Sequence, residues 1–250
     1  MSVDTAMSPG MLFIALLGGV LPATFWLWFW LKEDKLHPEP RGLLILSFIV
    51  GMLATIIAFP TEKYIIEHLV VGKFVLLSLW AFVEEALKFG GIYLVALRTK
   101  YFDEPIDGVI YLVTIALGFA ALENALFLFS PLGVGDTLGT LRLSNFRFIG
   151  ATLLHVGASG LVGVVLALTF YKKSALRVTS GILALGVAVL LHTLFNFSII
   201  ASEGRLLYGV FIILWVLIIG ILLVCEKIKR MAPRSHVEYP HTGVTIPSLK

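Results

Sequence analysis

Eight side chains in this sequence sit inside apolar runs where uncharged residues are the rule. Glu84, Glu85 and Lys88 fall near the middle of FVLLSLWAFVEEALKFGGIYLVAL (74–97). Glu123 and Asn124 fall near the end of IDGVIYLVTIALGFAALENALFLF (106–129), and later apolar runs carry His155, His192 and Asn196. A charged group at the centre of a membrane span costs roughly 2.5–3.5 kcal/mol on insertion scales. Such groups must face a bundle interior or water, and they must pair. Carboxylates and imidazoles held together in a dry setting are the equipment of acid–base chemistry on water.

Helical spacing divides their work. Glu84 and Lys88 are spaced i, i+4 and share a face, so the amine can hold a carboxylate ionised. Glu84 and Glu85 are neighbours and point about 100° apart. One of them meets the reacting water, and the other braces a neighbouring helix. His192 and Asn196 are also i, i+4, and both can donate toward one point, as an oxyanion site requires. Each element has a plainer reading when taken alone. Glu84–Lys88 is also an ordinary intramembrane ion pair, His192–Asn196 an interhelical hydrogen-bonding pair, and Glu123 a helix cross-link.

The elements that must position these groups follow from composition. Of 250 residues, 58% are hydrophobic and 14% charged, and the mean hydropathy is +0.97. A soluble domain is about half apolar and a quarter charged. A span needs about 20 apolar residues. Seven such runs are present, roughly 10–31, 42–60, 74–97, 106–129, 147–171, 179–200 and 206–226. They are too long and too uniform for barrel strands, and lipid demands internally satisfied backbone. The expectation is an all-α, polytopic membrane bundle of about seven transmembrane helices. Residues 1–227 form one membrane domain with a motif-bearing core at 74–200, and 228–250 form a basic, disordered tail. The N-terminus lacks a basic n-region and a small-residue cleavage site, so the first run is read as a helix and not a signal peptide.

Thirteen of the nineteen basic residues fall on one side of this arrangement, five fall on the other, and Lys88 lies within a span. The positive-inside rule therefore places the N-terminus outside and the C-terminus in the cytoplasm. Trp26, Trp28 and Trp30 then lie at the inner interface. At 1.5 Å per residue, Glu84 lies about 15 Å from the outer face, Glu123 about 9 Å, and His155 and His192 about 12 Å. Helices entering from opposite sides thus carry their polar groups to one layer. Gly90, Gly91, Gly118, Gly157 and Gly160 allow close helix approach. Residues 61–72 suggest a short surface helix, and 130–146 a mobile loop. Asp107 reads as the N-cap of the fourth span, with Asp103 and Glu104 at the inner interface and outside any active site. His37, His68, His236 and His241 read as solvated. Cys225 excludes an internal disulfide, and a structural role suits it. A net charge of +3 is explained by topology and does not point to nucleic acid.

VEEALK (83–88), FDEPIDGVIY (102–111), GFAALEN (118–124), His155 and LHTLFNF (191–197) together resemble the PrsW family of intramembrane proteases. That family is related to the CAAX prenyl protease and Abi group. Lys88 stands where the wider group often has Arg. Ala151 stands where an aromatic often precedes the second-motif histidine. Both departures favour the PrsW branch. The resemblance implies peptide-bond hydrolysis within the bilayer of a prokaryotic cell membrane. The substrate would be a single-pass membrane protein cut near its extracytoplasmic side, with an anti-sigma factor as one candidate. Residue by residue, it implies catalytic roles for Glu84, Glu85, Glu123, His155, His192 and Asn196.

Two chemistries fit this set. A glutamate and His155 activate water while His192 and Asn196 hold the oxyanion. Alternatively, His155, His192 and Glu123 bind zinc. The absence of HExxH favours the first. Proton- or ion-coupled transport and a non-catalytic scaffold of the same fold are the rival functions. The lack of an inverted repeat argues against transport. The oligomeric state is not legible.

Overall fold

The computed structural model describes residues 9–34, 37–133, 137–201 and 207–231. The chain is all-helical, with no strand among the described residues. Its helices are α1 (Pro9–Trp30), α2 (Arg41–His68), α3 (Lys73–Val95), α4 (Asp107–Gly133), α5 (Thr137–Leu168), α6 (Ser174–Ala201) and α7 (Leu207–Ile228), with a 3-10 turn (Leu31–Asp34) after α1. Six of these segments are long and apolar enough to cross a membrane. The exception is α3, whose apolar run is interrupted by Glu84, Glu85 and Lys88. Of the expected tail, the part beyond Met231, with His236 and His241, lies outside the described residues.

At the centre stands α4, which packs against α1, α2, α3 and α5. Helices α4 and α5 have 83% of their apolar windows buried, against 17–28% for α1, α2, α6 and α7. The outer helices show large apolar side chains such as Phe13, Ile45, Leu183 and Val216 to their surroundings. A ring of that kind suits lipid and would be anomalous in water.

Small residues let α4 sit this deep. A Cβ on Gly118 would lie 2.0 Å from the Phe48 carbonyl oxygen of α2, and one on Gly51 would lie 2.0 Å from that of Ile115. The α2–α4 contact is therefore backbone on backbone, the close approach that small residues permit in membranes. Gly91, Gly157 and Gly160 also meet neighbouring helices, but Gly90 faces open space.

Several local expectations change. Residues 61–68 continue α2 through Pro60 and do not form a separate surface helix. The Thr61 hydroxyl donates to the Ile57 carbonyl at 2.7 Å beside that interruption, a repair common in membrane helices. Residues 130–133 extend α4 and 137–146 open α5, so helix occupies most of the expected loop. Trp26, Trp28 and Trp30 do not share one environment. Trp30 is buried, Trp26 packs on Trp215, and the exposed Trp28 carries the Lys32 amine over its ring at 3.2 Å. Residues two apart lie on opposite sides of a helix, which explains the split. His68 ends α2, its ring stacked on Tyr64. Cys225 is buried in the core.

Asp107 opens α4 but is a different kind of cap from the one expected. Its Oδ2 accepts from the backbone N–H groups of Asp103 (2.9 Å) and Glu104 (2.7 Å), closing the preceding turn. Around it lies a buried acidic seam. The Tyr111 hydroxyl donates to Glu39, and Glu39 also hydrogen-bonds Asp107. His37, half exposed, pairs with Glu104 at 2.7 Å.

Candidate active site

Four helices bring the polar groups of the apolar runs together. From α3 come Glu84, Glu85 and Lys88, all buried; α4 brings Glu123, α5 brings His155 and α6 brings His192. Lys88 Nζ donates to Glu85 Oε1 at 2.7 Å and to His155 Nδ1 at 2.8 Å. Its distance to Glu84 Oε2 is 3.9 Å. The tight partner of Lys88 is therefore the carboxylate at i−3, and the expected i, i+4 partner is looser.

These contacts fix both imidazoles. His155 Nδ1 accepts from the amine, so its Nε2 carries the proton and donates to Glu123 Oε2 at 3.0 Å. His192 Nδ1 donates to Glu85 Oε1 at 2.8 Å, leaving Nε2 with a free lone pair. The two rings meet edge to face, 5.2 Å apart. His155 Nδ1, whose lone pair Lys88 takes up, and His192 Nε2 flank one atom. Glu84 Oε2 lies 3.9 Å from His155 Nδ1 and 3.8 Å from His192 Nε2. That oxygen is buried and has no hydrogen-bond partner. The division of labour expected for the adjacent glutamates thus takes a definite form. Glu85 braces α6 and Lys88, while Glu84 presents a bare oxygen to both histidines.

This donor set fits a metal ion. One ligand atom each from Glu84, His155 and His192 lies within 4.8 Å of the other two. Two histidines and a carboxylate form a common catalytic zinc set, and each ring is oriented by a carboxylate on its far nitrogen, as metal-binding histidines are. The unpaired Glu84 oxygen is the further sign of fit. Glu123 does not belong to this trio, in contrast to the set expected from sequence; it faces the opposite edge of His155. Coordination by His155 Nδ1 would replace its hydrogen bond from Lys88.

Asn196 lies one turn beyond His192 on α6 and is partly buried. Asn124 is buried and donates to Thr152 Oγ1 at 3.2 Å, tying α4 to α5. One carboxyl group that the sequence pattern did not single out also reaches the cluster. Glu62 of α2 lies near Glu84, Glu123 and Lys88. Four carboxyl groups and one amine thus share an apolar interior, where bound protons or a bound cation must offset the surplus of negative charge.

A bundle of apolar helices around buried carboxylates and imidazoles defines a multi-pass membrane protein with a hydrolytic type of site, and comparison with known proteins sharpens that class. A family model described as PrsW family intramembrane metalloprotease matches residues 39–223. The chain belongs to the PrsW family and is an intramembrane protease of the bacterial cell membrane. It is 29% identical over 208 residues to Protease PrsW of Bacillus subtilis (strain 168), covering 79% of this chain and 88% of that protein. It is 29% identical over 201 residues to Protease PrsW of Clostridioides difficile (strain 630), covering 75% and 81%. It is 28% identical over 211 residues to that of Oceanobacillus iheyensis, covering 81% and 91%. No solved structure matches the chain.

Proposed function

We propose that the chain hydrolyses a peptide bond of a membrane-anchored protein, with Glu84, His155 and His192 as the groups that handle the attacking water. The observation that carries this reading is the buried Glu84 Oε2, without a hydrogen bond, set between His155 Nδ1 and His192 Nε2. Glu84, His155 and His192 are the residues that would hold a divalent ion, zinc by the chemistry of the donors. When bound, such an ion supplies Lewis acidity and makes a neighbouring water easier to deprotonate.

The remaining residues orient these three. Glu123 fixes the His155 tautomer and Glu85 that of His192. Lys88 holds Glu85 in place. Asn196, on the turn after His192, is suited to donate to the developing oxyanion. The apolar bundle excludes bulk water, which strengthens each of these interactions. The excess of basic residues on one side supports an extracytoplasmic N-terminus and cytoplasmic C-terminus. The family resemblance supports a single-pass substrate cut near its extracytoplasmic end, with an anti-sigma factor of a stress response as the specific candidate.

Co-expression with tagged single-pass substrates tests the proposal. Glu84→Gln, His155→Ala and His192→Ala are expected to abolish a cleavage that the wild-type chain performs. Metal analysis of purified protein should show a bound ion that is lost in Glu84→Gln. Wild-type cleavage by all three variants would remove the proposal.

A further inference from the structure

Lys88 touches the ligand set directly. Its amine nitrogen lies 2.8 Å from His155 Nδ1 and 3.9 Å from Glu84 Oε2, on two of the three groups suited to a metal. A lysine amine has only N–H groups to offer, so the imidazole nitrogen is the acceptor in that contact. The same Nδ1 lone pair is what an ion would need from this ring, because Nε2 is engaged with Glu123 Oε2 at 3.0 Å. One lone pair cannot serve an N–H and a metal together. Lys88 and an ion therefore compete for one atom.

The other neighbours of the amine give it somewhere to go. Glu85 Oε1 lies 2.7 Å from it, and the centroid of the Phe119 ring 4.5 Å. Neither residue belongs to the ligand set. The face of an aromatic ring attracts a cation, more strongly where water is excluded, and Phe119 is buried. A lysine stem has four carbons and is flexible, so the amine can give up His155 while it keeps Glu85 and Phe119. Glu85 also accepts from His192 Nδ1 at 2.8 Å. An exchange at His155 thus leaves the brace on His192 in place.

We propose that Lys88 is an internal stand-in for the metal: its amine occupies His155 Nδ1 and yields that nitrogen, keeping Glu85 and Phe119, when an ion binds. The proposal rests on the reading of Glu84, His155 and His192 as metal ligands given above. Its consequence is a site whose shape and charge are held before the ion arrives, at the expense of some affinity for it.

The test measures Zn2+ affinity in the purified full chain, with a competing colorimetric chelator and no substrate. Hydrogen bonds that involve a charged group are among the stronger ones, so removing this competitor should tighten Zn2+ binding in Lys88→Met by roughly 10–100-fold. Lys88→Met leaves Glu85 buried without its amine. The comparison is therefore repeated between Glu85→Gln and Glu85→Gln with Lys88→Met, where the same gain is expected. Equal or weaker binding without the lysine would make it a support of the ligands and overturn the proposal.

A His155→Ala background separates competition for one nitrogen from a general effect of charge. Most of the gain from Lys88→Met should vanish there, and a gain of full size overturns the proposal. Wild-type cleavage of a substrate with no Zn2+ bound by wild type or Lys88→Met would also overturn it, and would leave the protease reading in place. A tightened site in a chain that cleaves nothing leaves the Lys88 exchange standing and removes the protease reading.

Discussion

Lys88 places an amine among carboxyl groups, and the tightness of its contacts makes it a structural requirement as well as a tuning group. Its partners are Glu85 at 2.7 Å and His155 at 2.8 Å, all three buried. Removing one partner of a buried pair costs about 3–5 kcal/mol, because the other is left uncompensated. Lys88→Met should therefore destabilise the protein by about that amount, measured by thermal or detergent unfolding. Adding Glu85→Gln to the same chain should return much of the loss. If Lys88→Met unfolds as the wild type does, the pairing is not what holds α3 in place. Much of this cluster was legible in the sequence. Glu84, Glu85, Glu123, His155 and His192 announce themselves because each interrupts an apolar run. Their partners were less legible. Spacing allows Lys88 to reach either glutamate, and only packing against His192 and His155 decides for Glu85. Depth along a helix likewise cannot tell which carboxylate faces both imidazoles: the zinc reading expects Glu123 there, and the structure has Glu84.

Among the elements, the entry to α2 and the start of α4 are joined by acids, and their pairing should show in the pH dependence of stability. Glu39 lies just before α2. Burial raises its carboxyl from the usual 4.5 to about 7, offset by hydrogen bonds with Asp107 and Tyr111 and reinforced by the charges of Asp34 and Asp103. The folded chain thus keeps this proton over a range where the unfolded chain has released it. Stability from Glu39 is fully present below about pH 4.5, falls as pH rises toward about 7, and is lost above that. Glu39→Gln keeps an acceptor for Tyr111 and should flatten this part of the unfolding profile. An unchanged slope between those limits would show that Glu39 is ionised in the folded state. The element pattern was legible for the long apolar runs. It was not legible at Pro60, where a proline and a short polar stretch read as a helix end. Because α2 continues, Glu62 is carried inward by helical phase, a position that no local property of residues 61–72 reveals.

At the scale of the whole molecule, the site is assembled from α3, α4, α5 and α6, and α3 carries the largest share of it. The chain makes α3 before α4, α5 and α6, so its neighbours Glu123, His155 and His192 do not yet exist when it reaches the membrane. The order of synthesis then becomes a problem of timing. Three mid-span charges cost on the order of 8–10 kcal/mol, while the twelve Leu, Ile, Val and Phe residues of α3 return only about 4–7. On its own, α3 should leave the bilayer or linger at the translocon. A chain truncated after Leu97 and scored with labelling sites on either side should therefore show α3 poorly inserted. Extension through α6, or the combination Glu84→Gln, Glu85→Gln and Lys88→Met, should restore the span. Full insertion of the truncated wild-type segment would count against this. If the expectation holds, the residues proposed to equip the enzyme for hydrolysis also make its insertion a delayed event, completed only when the later helices arrive to receive them.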